Sequence, residues 1–503
     1  MRELGIFTDG TICAPATIPG TGAISIIRVS GEDSLAIADK VIDVKGESLS
    51  ETEGYRLRYG TIFADDGSVL DNVIVSVFRA PHSYTGENSV EISCHASRFI
   101  VNAVLEILVN AGARIAAPGE FTRRAFVNGK MDLAQAEAVA DVIASQSAAA
   151  HRVAINQLKG GFSSELKTLR EKLLTMTSLL ELELDFSEED VEFASRSELG
   201  ALVEETLAHI GRLTDSFSRG NAIKNGVPVA IVGATNTGKS TLLNALLGEE
   251  RAIVSDIAGT TRDTIEETLN LGGVMFRFID TAGIRETDEV VEKIGIERTF
   301  RKLNEASIVL GMTDLSRGED TVLSDAEYIW DKVNASSSDR EFVLLVNKCD
   351  VDGIESEEAG SWTGSRAGYV ETGSEACCAG KAGKMARIEA ALREKGIVTK
   401  MIPISAKTGS GLPELTEALA EIGRRITGDT DETLVTNIRH YEALSRAATA
   451  LGRVRDGLKV ATLPPDLIAQ DLREALYHLG EIVGEISTDE VLGNIFRKFC
   501  IGK

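Results

Sequence analysis

The sequence predicts a multidomain protein of α/β and α regions, on the evidence of its length and of two contrasting hydrophobic patterns. The chain has 503 residues, which is more than one hydrophobic core serves and predicts about three domains. Residues 1–124 mix short β-branched runs with turn signals, whereas residues 227–404 alternate apolar strands with helical stretches. The first pattern indicates a small α+β domain, and the second indicates a doubly wound parallel sheet.

Individual strands can be assigned in both regions. In the N-terminal region they are "AISIIRVSG", "NVIVSVF" and "SVEISCHA", and in the α/β region they are "VPVAIVG", "FRFID", "SIVLGM", "FVLLVN" and "KMIPIS". Short runs rich in Val, Ile and Phe between turn-forming residues are typical of strands.

Helical patterns flank the α/β region on both sides. The first opens at "DLAQ", where Asp132 precedes Gln135 as in a capping box, and continues to about Arg219. The second begins after about Thr430. We expect the two stretches to pack as one domain with the α/β unit inserted, because the chain ends of a domain are often close together; a linear string of four domains is the alternative. The predicted boundaries are 1–124, 125–222, 223–428 and 429–503.

The composition favours a globular, soluble chain, with 43% hydrophobic and 26% charged residues. No apolar run reaches the roughly 18 residues that a membrane-spanning helix needs. The N-terminus, "MRELGIFTDGTICAPATIPG", lacks the apolar core of a signal peptide. We therefore expect a cytoplasmic protein without a membrane span. The six cysteines show no CxxC pair or metal-site spacing, so we expect reduced thiols.

The chain carries a formal net charge of −24. Such a chain repels phosphate backbones unless a local patch or a partner supplies positive charge. Bulk electrostatics will therefore not bring it to nucleic acid. One further stretch, from Val351 to Gly383, holds seven glycines and little periodicity, which predicts a long, mobile surface loop.

The segment "GATNTGKS", from Gly233 to Ser240, fits the pattern G-x-x-x-x-G-K-[ST] of a phosphate-binding loop. It follows a predicted strand and opens a predicted helix, which is the context that the motif needs. Backbone N–H groups and the helix N-terminus bind the phosphates, Lys239 reaches the outer phosphates, and Ser240 is a ligand for Mg²⁺.

Four more motifs follow in order: "GTTRD", "DTAG", "NKCD" and "SAK". Thr261 offers a second hydroxyl to Mg²⁺, Asp280 can hold Mg²⁺ through water, and the Gly283 N–H can sense the terminal phosphate. Asp350 can accept two hydrogen bonds from guanine that adenine cannot offer. In "SAK" a backbone N–H can meet the guanine oxygen. The five motifs together resemble the G domain of GTPases.

Ile284 stands directly after "DTAG", where many GTPases have a Gln that orients the attacking water. Either hydrolysis is slow, or another residue positions the water and another positive charge replaces an arginine finger. Glu292 is a candidate for the residue that positions the water, although its stretch "RETDEVVEK" also fits a solvated acidic face. Asn236 is either a turn residue or a ligand for a monovalent cation beside the phosphates.

The order of these motifs resembles the MnmE (TrmE) family of bacterial tRNA-modification GTPases over essentially the whole chain. The most specific matches are "PGTGAISIIRVSG", "SYTGE", "PGEFTRRAFVNGKMDLAQAEA" and the final "FCIGK". The resemblance implies an N-terminal α+β folate-binding-like domain that also dimerises, a discontinuous helical domain and an inserted P-loop GTPase α/β domain. It also implies a GTP hydrolase.

The resemblance implies a particular nucleotide site. Glu292, Asn236 and Lys239 are the expected catalytic residues, and Ser240 and Thr261 are the expected Mg²⁺ ligands. A K⁺ ion takes the place of an arginine finger as two G domains meet, and its expected ligands are Asn236, Ser255, Ile257 and Thr260. The expected GTP-binding residues are Gly233, Asn236, Thr237, Gly238, Lys239, Ser240, Thr241, Ser255, Asp256, Ile257, Ala258, Gly259, Thr260, Thr261, Asp280, Thr281, Ala282, Gly283, Asn347, Lys348, Asp350, Ser405, Ala406 and Lys407.

The resemblance also implies a site for a reduced folate, either 5-formyl- or methylene-tetrahydrofolate. Its expected residues are Arg28, Glu91, Lys130 and Lys503. A carboxylate can pair with the amide and amino edge of a pterin, and cations suit the glutamate tail of the folate.

The C-terminal "FCIGK" continues a helical pattern almost to the last residue. We expect the last helix to run to the end of the chain, anchored by Phe499 and Ile501, and to deliver Lys503 to the folate. Cys500 is either a nucleophile or, more simply, a buried thiol.

The implied function is K⁺-dependent GTP hydrolysis by a homodimer that acts with MnmG on the wobble uridine of certain tRNAs. The reaction adds an aminomethyl or carboxymethylaminomethyl group at carbon five, FAD enters only through the partner, and most tRNA contacts are made through the complex. A ribosome-assembly GTPase is the alternative, but it would more often carry a basic RNA-binding appendage, which this sequence lacks. A switch protein that uses nucleotide only to dimerise is a third reading.

Overall fold

The computed structural model describes residues 10–64, 66–185, 196–250, 267–279, 305–334, 340–350, 373–397, 399–428, 432–460, 464–486, 489–497, 499–500 and 502. The chain forms two compact units. The first unit comprises Met1–Ala144, Ala154–Asp215 and Ile438–Lys503, and the second unit comprises Ser145–Val153 and Ser216–Asn437. The first unit therefore draws on segments from both ends of the sequence.

The described strands are β1 (Ile12–Pro15), β2 (Ile24–Ser30), β3 (Ile42–Val44), β4 (Arg56–Phe63), β5 (Val69–Phe78), β6 (Ser89–His95), β7 (Arg114–Ile115), β8 (Val227–Gly233), β9 (Glu267–Leu271), β10 (Val274–Ile279), β11 (Ile308–Asp314), β12 (Glu341–Asn347) and β13 (Lys400–Pro403). The described helices are α1 (Ser34–Val41), α2 (Arg98–Asn110), α3 (Glu120–Val127), α4 (Leu133–Ala144), α5 (Ala148–Leu158), α6 (Gly161–Asp185), α7 (Arg196–Asn225), α8 (Lys239–Glu250), α9 (Glu319–Asn334), α10 (Gly373–Glu394), α11 (Leu412–Thr427), α12 (Ile438–Leu458), α13 (Pro465–Val483) and α14 (Asp489–Phe496). No helix among them is both long and apolar enough to cross a bilayer.

The first unit contains a seven-stranded sheet in the order β3-β4-β5-β6-β2-β1-β7. Its neighbouring strands are antiparallel, except that β1 and β7 are parallel. Strand β5 shows why one face is buried: Val73, Val75 and Val77 alternate with polar or exposed positions. These valines pack in one core with residues of α1 and α2, so the predicted α+β arrangement of this region is confirmed.

Among the described residues, α3 covers one end of the opposite face of this sheet. There Phe121 of α3 packs with Ile12 of β1 in a second, smaller core. Farther along the same face, Leu57, Tyr59 and Ile74 are 68%, 60% and 47% exposed. This open apolar area is called the open sheet face.

Helix α4 begins with the predicted capping box. The Asp132 N–H donates to Gln135 Oε1 (2.9 Å), and the Gln135 N–H donates to Asp132 Oδ1 (2.8 Å). The last helix differs from the prediction, because α14 ends at Phe496 and not at the end of the chain. The chain turns after it, with the Phe499 N–H donating to the Phe496 carbonyl and Gly502 in a left-handed conformation (φ +98°).

A buried ion cluster joins α4 to α12. Glu137 accepts from Arg439 Nε (2.9 Å) and lies 2.7 Å from His440 Nε2, while Arg439 also donates to the carbonyls of Glu481 and Ile482 at the end of α13. Burial raises the pKa of the Glu137 carboxyl, but His440 and Arg439 outweigh burial and lower that pKa to about 2. The cluster therefore links three helices: the Glu137 carboxylate joins α4 to α12, and Arg439 joins α12 to α13.

The second unit contains a six-stranded sheet in the order β13-β12-β11-β8-β10-β9. Strands β13, β12, β11, β8 and β10 are parallel, as predicted. The edge strand β9 was not predicted and pairs antiparallel with β10. One core lies against α8 and α11, and another lies against α9 and α10, so helices cover both faces.

The glycine-rich stretch ends in a helix. Helix α10 begins at Gly373, so the prediction of a loop as far as Gly383 is wrong for its last residues. Residues 351–372 lie outside the described residues.

Candidate functional sites

The phosphate loop, Gly233 to Ser240, joins the end of β8 to the start of α8. Asn236 (φ +61°) and Gly238 (φ +100°) turn the loop through left-handed conformations, which Gly and Asn adopt most readily. A Cβ on Gly233 would overlap the carbonyl oxygen of Met312 on the neighbouring strand β11. The glycine positions of the motif thus let the backbone turn tightly against the sheet.

Lys239 folds back over this loop. Its Nζ donates to the carbonyls of Gly233 (2.9 Å) and Ala234 (2.8 Å), and burial lowers its pKa. Thr237 is buried and its hydroxyl donates to Ala234 O (2.9 Å), whereas Asn236 is exposed. The ammonium group therefore lies at the loop beside the first turn of α8, where an anion is favoured.

Asn347, at the end of β12, connects the phosphate loop to the "SAK" loop. Its Nδ2 donates to Thr237 O (2.6 Å) and its Oδ1 accepts from the Ala406 N–H (3.0 Å). The side chain is buried, and a Cβ on Gly238 would overlap its Nδ2. Sequence analysis placed Asn347 in the GTP site but did not foresee this bridging role, because the two loops are about as far apart along the chain as the domain allows.

The "NKCD" segment turns at Lys348, which has φ +63° and whose Nζ lies 2.6 Å from Asp314 Oδ2. Burial raises the pKa of Asp314, but hydrogen bonds from Lys348 and Ser316 lower it overall. The Cys349 N–H then donates to Ile404 O (3.2 Å), which ties the segment to the strand before "SAK". Three motifs thus meet at the carboxyl ends of parallel strands, where ligands bind in open α/β sheets.

The described members of the predicted GTP site belong to these three loops or to the first turn of α8. They are Gly233, Asn236, Thr237, Gly238, Lys239, Ser240, Thr241, Asn347, Lys348, Asp350, Ser405, Ala406 and Lys407. The other predicted residues lie outside the described residues. They are Ser255, Asp256, Ile257, Ala258, Gly259, Thr260, Thr261, Asp280, Thr281, Ala282, Gly283 and Glu292.

In the first unit, Arg28 on β2 lies directly opposite Glu91 on β6. Arg28 Nε donates to Glu91 Oε1 (2.9 Å), and its Nη2 is 2.8 Å from the same oxygen. The guanidinium lies 5.1 Å from the ring centre of Tyr84 and 5.6 Å from that of Phe121. The side chains of Arg28 and Glu91 are 17% and 24% exposed, so the ion pair is held in place and is still accessible to a ligand.

Lys130 and the C-terminal residues border the same part of the sheet. Lys130 Nζ donates to Pro81 O (3.0 Å), and its stem lies against Gly86, so it follows the loop that carries Tyr84. Gly502 lies against Pro15, whose register partner Ile27 precedes Arg28. Arg28 and Glu91 are thus directly paired, and Lys130 lies along the adjoining loop; Lys503 lies outside the described residues.

A buried ion network that sequence analysis did not foresee holds α3 over this site. Glu120, 1% exposed, accepts from Arg114 Nη1 (2.9 Å) and Arg124 Nη2 (3.2 Å), and Arg124 Nη1 also donates to both oxygens of Glu87 (3.1 and 3.0 Å). Burial raises the pKa of Glu120, but Arg114, the Ala117 N–H and Arg124 lower it to about 2. The charged run "GEFTRR", which contains Glu120 and Arg124, is the feature of the sequence that could have indicated this network.

Comparisons with known proteins find one family over nearly the whole chain. The family model described as MnmE helical domain matches residues 133–500, and the one described as GTP-binding protein TrmE N-terminus matches residues 11–130. Proteins named tRNA modification GTPase MnmE are similar over nearly the full length. That of Parabacteroides distasonis is 49% identical over 98% of this chain and 100% of its own, and that of Bacteroides fragilis is 50% identical over 98% and 99%. That of Porphyromonas gingivalis is 47% identical over the whole of both chains. The chain belongs to the MnmE family of tRNA modification GTPases.

Proposed function

We propose that this protein is a K⁺-dependent GTPase that, with MnmG, modifies carbon five of the wobble uridine of certain tRNAs. The modification is an aminomethyl or carboxymethylaminomethyl addition, and a reduced folate is the one-carbon donor. The carrying observation is that Asn347 binds the phosphate loop and the "SAK" loop together. A phosphate site and a base-recognition site are thereby held at a fixed distance, which is what a nucleotide with one particular base requires.

The chain's own residues fit a guanine nucleotide. Lys239 is already desolvated over the loop, and it exchanges two carbonyl partners for phosphate oxygens when nucleotide binds. Asp350 follows the turn at Lys348 and selects guanine through its carboxylate. Ser240, in the first turn of α8, and Thr261 are the proposed Mg²⁺ ligands. Glu292 is the proposed residue that orients water.

The proposed K⁺ site begins at Asn236, an exposed residue in a left-handed turn of the phosphate loop. The remaining proposed ligands are Ser255, Ile257 and Thr260. A bound K⁺ supplies the positive charge that an arginine finger supplies in other GTPases.

The folate site is proposed around the Arg28–Glu91 pair, with Lys130 and Lys503 as further cations. A half-buried carboxylate that is oriented by Arg28 suits the amide and amino edge of a pterin. The partly exposed ring of Tyr84 beside Arg28 offers apolar surface to a flat ligand. The reduced folate supplies the one-carbon unit.

The proposed assembly is a cytoplasmic homodimer that reaches tRNA mostly through its complex with MnmG, which brings FAD. The open sheet face, with Leu57, Tyr59 and Ile74, supports pairing of two copies, since exposed apolar areas mark interaction surfaces. We further propose three domains: an N-terminal folate-binding and dimerisation domain at 1–124, an inserted GTPase domain at 223–428, and a discontinuous helical domain at 125–222 and 429–503.

The proposal is tested by measuring GTP hydrolysis in KCl and in NaCl at equal ionic strength. We expect Na⁺ to lower the rate by about 10³-fold, the lower range of an arginine finger's contribution. Asn236→Ala should remove most of the difference between the two salts. Asn334→Ala, at the exposed end of α9, is the control and should behave as wild type. Equal rates in both salts would overturn the cation assignment.

A further inference from the structure

The terminal segment, represented by Phe499, Cys500 and Gly502, packs against the N-terminal part of the first unit. We call the residues that it contacts there, Gly119 and Pro15–Ala16, the seat. The Gly119 N–H, at the N-terminus of α3, donates to Cys500 O (3.4 Å). Gly502 lies against Pro15 and Ala16 at the end of β1. The segment therefore rests between one strand end and one helix start, both of which border the Arg28–Glu91 pair.

Both contacts require glycine. Gly119 has φ +68°, and a Cβ there would lie 2.7 Å from Phe496 O and 3.0 Å from Phe499 Cβ. Gly502 has φ +98°, and a Cβ there would overlap the Pro15 carbonyl. The obstructing atoms are mainly backbone, which cannot move aside as the end of a flexible side chain can. A side chain at either position therefore displaces the terminal segment or the element that seats it.

The segment is also held from its other side. Phe496 and Phe499 are 3% and 8% exposed, and they pack with Leu133 and Ala136 of α4. Their ring centres are 5.5 Å apart. The aromatic pair thus fixes where the segment begins, and the two glycines let it pass close to α3 and β1.

We propose that Gly119 and Gly502 are positioning residues for the folate site, and that the site binds folate well only while the terminal segment is seated. This inference rests on the proposed folate site. Lys503 directly follows Gly502, so the position of the seated segment limits how far the Lys503 side chain can reach. The Glu120 network fixes the start of α3 and hence Gly119. A seated segment binds with less loss of conformational freedom than a free one.

The test compares Gly119→Ala with Gly67→Ala in the full-length protein. Gly67 has a similar left-handed φ (+79°) but no atom within 4 Å of a built Cβ, so it reproduces the backbone strain without the collision. Seating is read by hydrogen–deuterium exchange of the peptide from residue 489 onward. Binding is read by calorimetric titration with 5-formyl-tetrahydrofolate. For Gly119→Ala we expect faster exchange and affinity lower by about tenfold or more, equal to ~1.4 kcal/mol, whereas Gly67→Ala should match wild type in both.

The outcomes separate the inference from the proposed function. If wild type binds the folate and Gly119→Ala binds it equally well, the positioning role is overturned, whatever the exchange result. If wild type itself does not bind, the proposed folate site fails, while the exchange data still report on the seat. Should Gly119→Ala not fold, Gly502→Ala replaces it, since this residue lies outside every helix and strand. Its control is Gly46→Ala, which has the same φ of +98° and open space around it.

Discussion

The nucleotide loops of the second unit and the ion-paired site of the first unit are built in different ways. In the second unit each loop follows a parallel strand, and the key side chains, Lys239 and Asn347, bond mostly to backbone groups. In the first unit Arg28 bonds to Glu91, 63 positions away, and the surrounding elements are fixed by further ion pairs. A contiguous motif brings its own geometry, whereas the dispersed site depends on strand register and on segments from both ends of the chain.

The largest effect expected from this difference is at Lys239. Lys239→Ala removes the cation over the phosphate loop, and GTP hydrolysis should fall by about 10²–10³-fold, as for loss of one donor at developing charge. Folate affinity should not change, because the first unit keeps all its contacts. A phosphate-release assay measures the rate of GTP hydrolysis, and calorimetric titration measures the folate affinity.

The control for Lys239 is Lys400→Ala, on β13 of the same sheet. Lys400 is 48% exposed, and the carboxylate of Glu421 is 3.7 Å from its Nζ. The Lys400→Ala variant should therefore hydrolyse GTP as wild type does. If Lys239→Ala also weakened folate binding, the comparison between two self-contained sites would break down.

The sequence predicted the second unit in more detail than the first. Strand, motif and helix follow one another locally, so five parallel strands and the phosphate loop could be assigned from pattern alone. The capping box of Asp132 and Gln135 was likewise visible because both partners lie within four residues. The antiparallel edge strand β9 was missed, since it directly follows residues that carry the switch motif and shows no strong alternation.

What the sequence could not reveal depends on distant partners. The register that places Arg28 opposite Glu91 was not predictable, although family resemblance had put both residues in one site. The end of α14 at Phe496 was predicted wrongly, because the aromatic pattern continues to Phe499, whereas the chain leaves the helix and the Cys500 carbonyl accepts from the Gly119 N–H, a residue far away in the sequence. The cluster of Glu137, Arg439 and His440 joins residues about 300 positions apart, and no local sequence pattern predicts it.

An intermediate effect is expected at Glu137, which sharpens the contrast because Glu137, Arg439 and His440 all belong to the first unit. Glu137→Gln keeps the shape but loses the charge that Arg439 and His440 face. At pH 7 the free energy of unfolding of the first unit should fall by about 1.5–3 kcal/mol, the range for hydrogen bonds to charged groups. Denaturant unfolding followed by hydrogen exchange in α4 and α12 measures it.

The pH dependence of the same variant has a definite sign. The pKa of Glu137 is lowered from 4.5 to about 2 in the folded protein, so the unfolded chain takes up this proton first as the pH falls. The stability that the carboxylate contributes is present above about pH 4.5 and is lost toward pH 2. The difference between wild type and Glu137→Gln should therefore shrink across that interval. Glu474→Gln, whose ion pair with Arg453 is about half exposed on both sides, should show little difference at either end.

The smallest effect is expected at Arg28, and it bears most directly on the dispersed site. Arg28→Met keeps an unbranched stem beside Tyr84 and Phe121 but removes the cation that orients Glu91. Affinity for 5-formyl-tetrahydrofolate should fall by about tenfold, equal to ~1.4 kcal/mol, and GTP hydrolysis should stay as in wild type. Arg56→Met on β4 is the control, since Arg56 is 67% exposed in its pair with Glu53. Wild-type affinity in Arg28→Met would mean that the register pairing of β2 and β6 serves the sheet alone, and that the dispersed site must be sought elsewhere in the first unit.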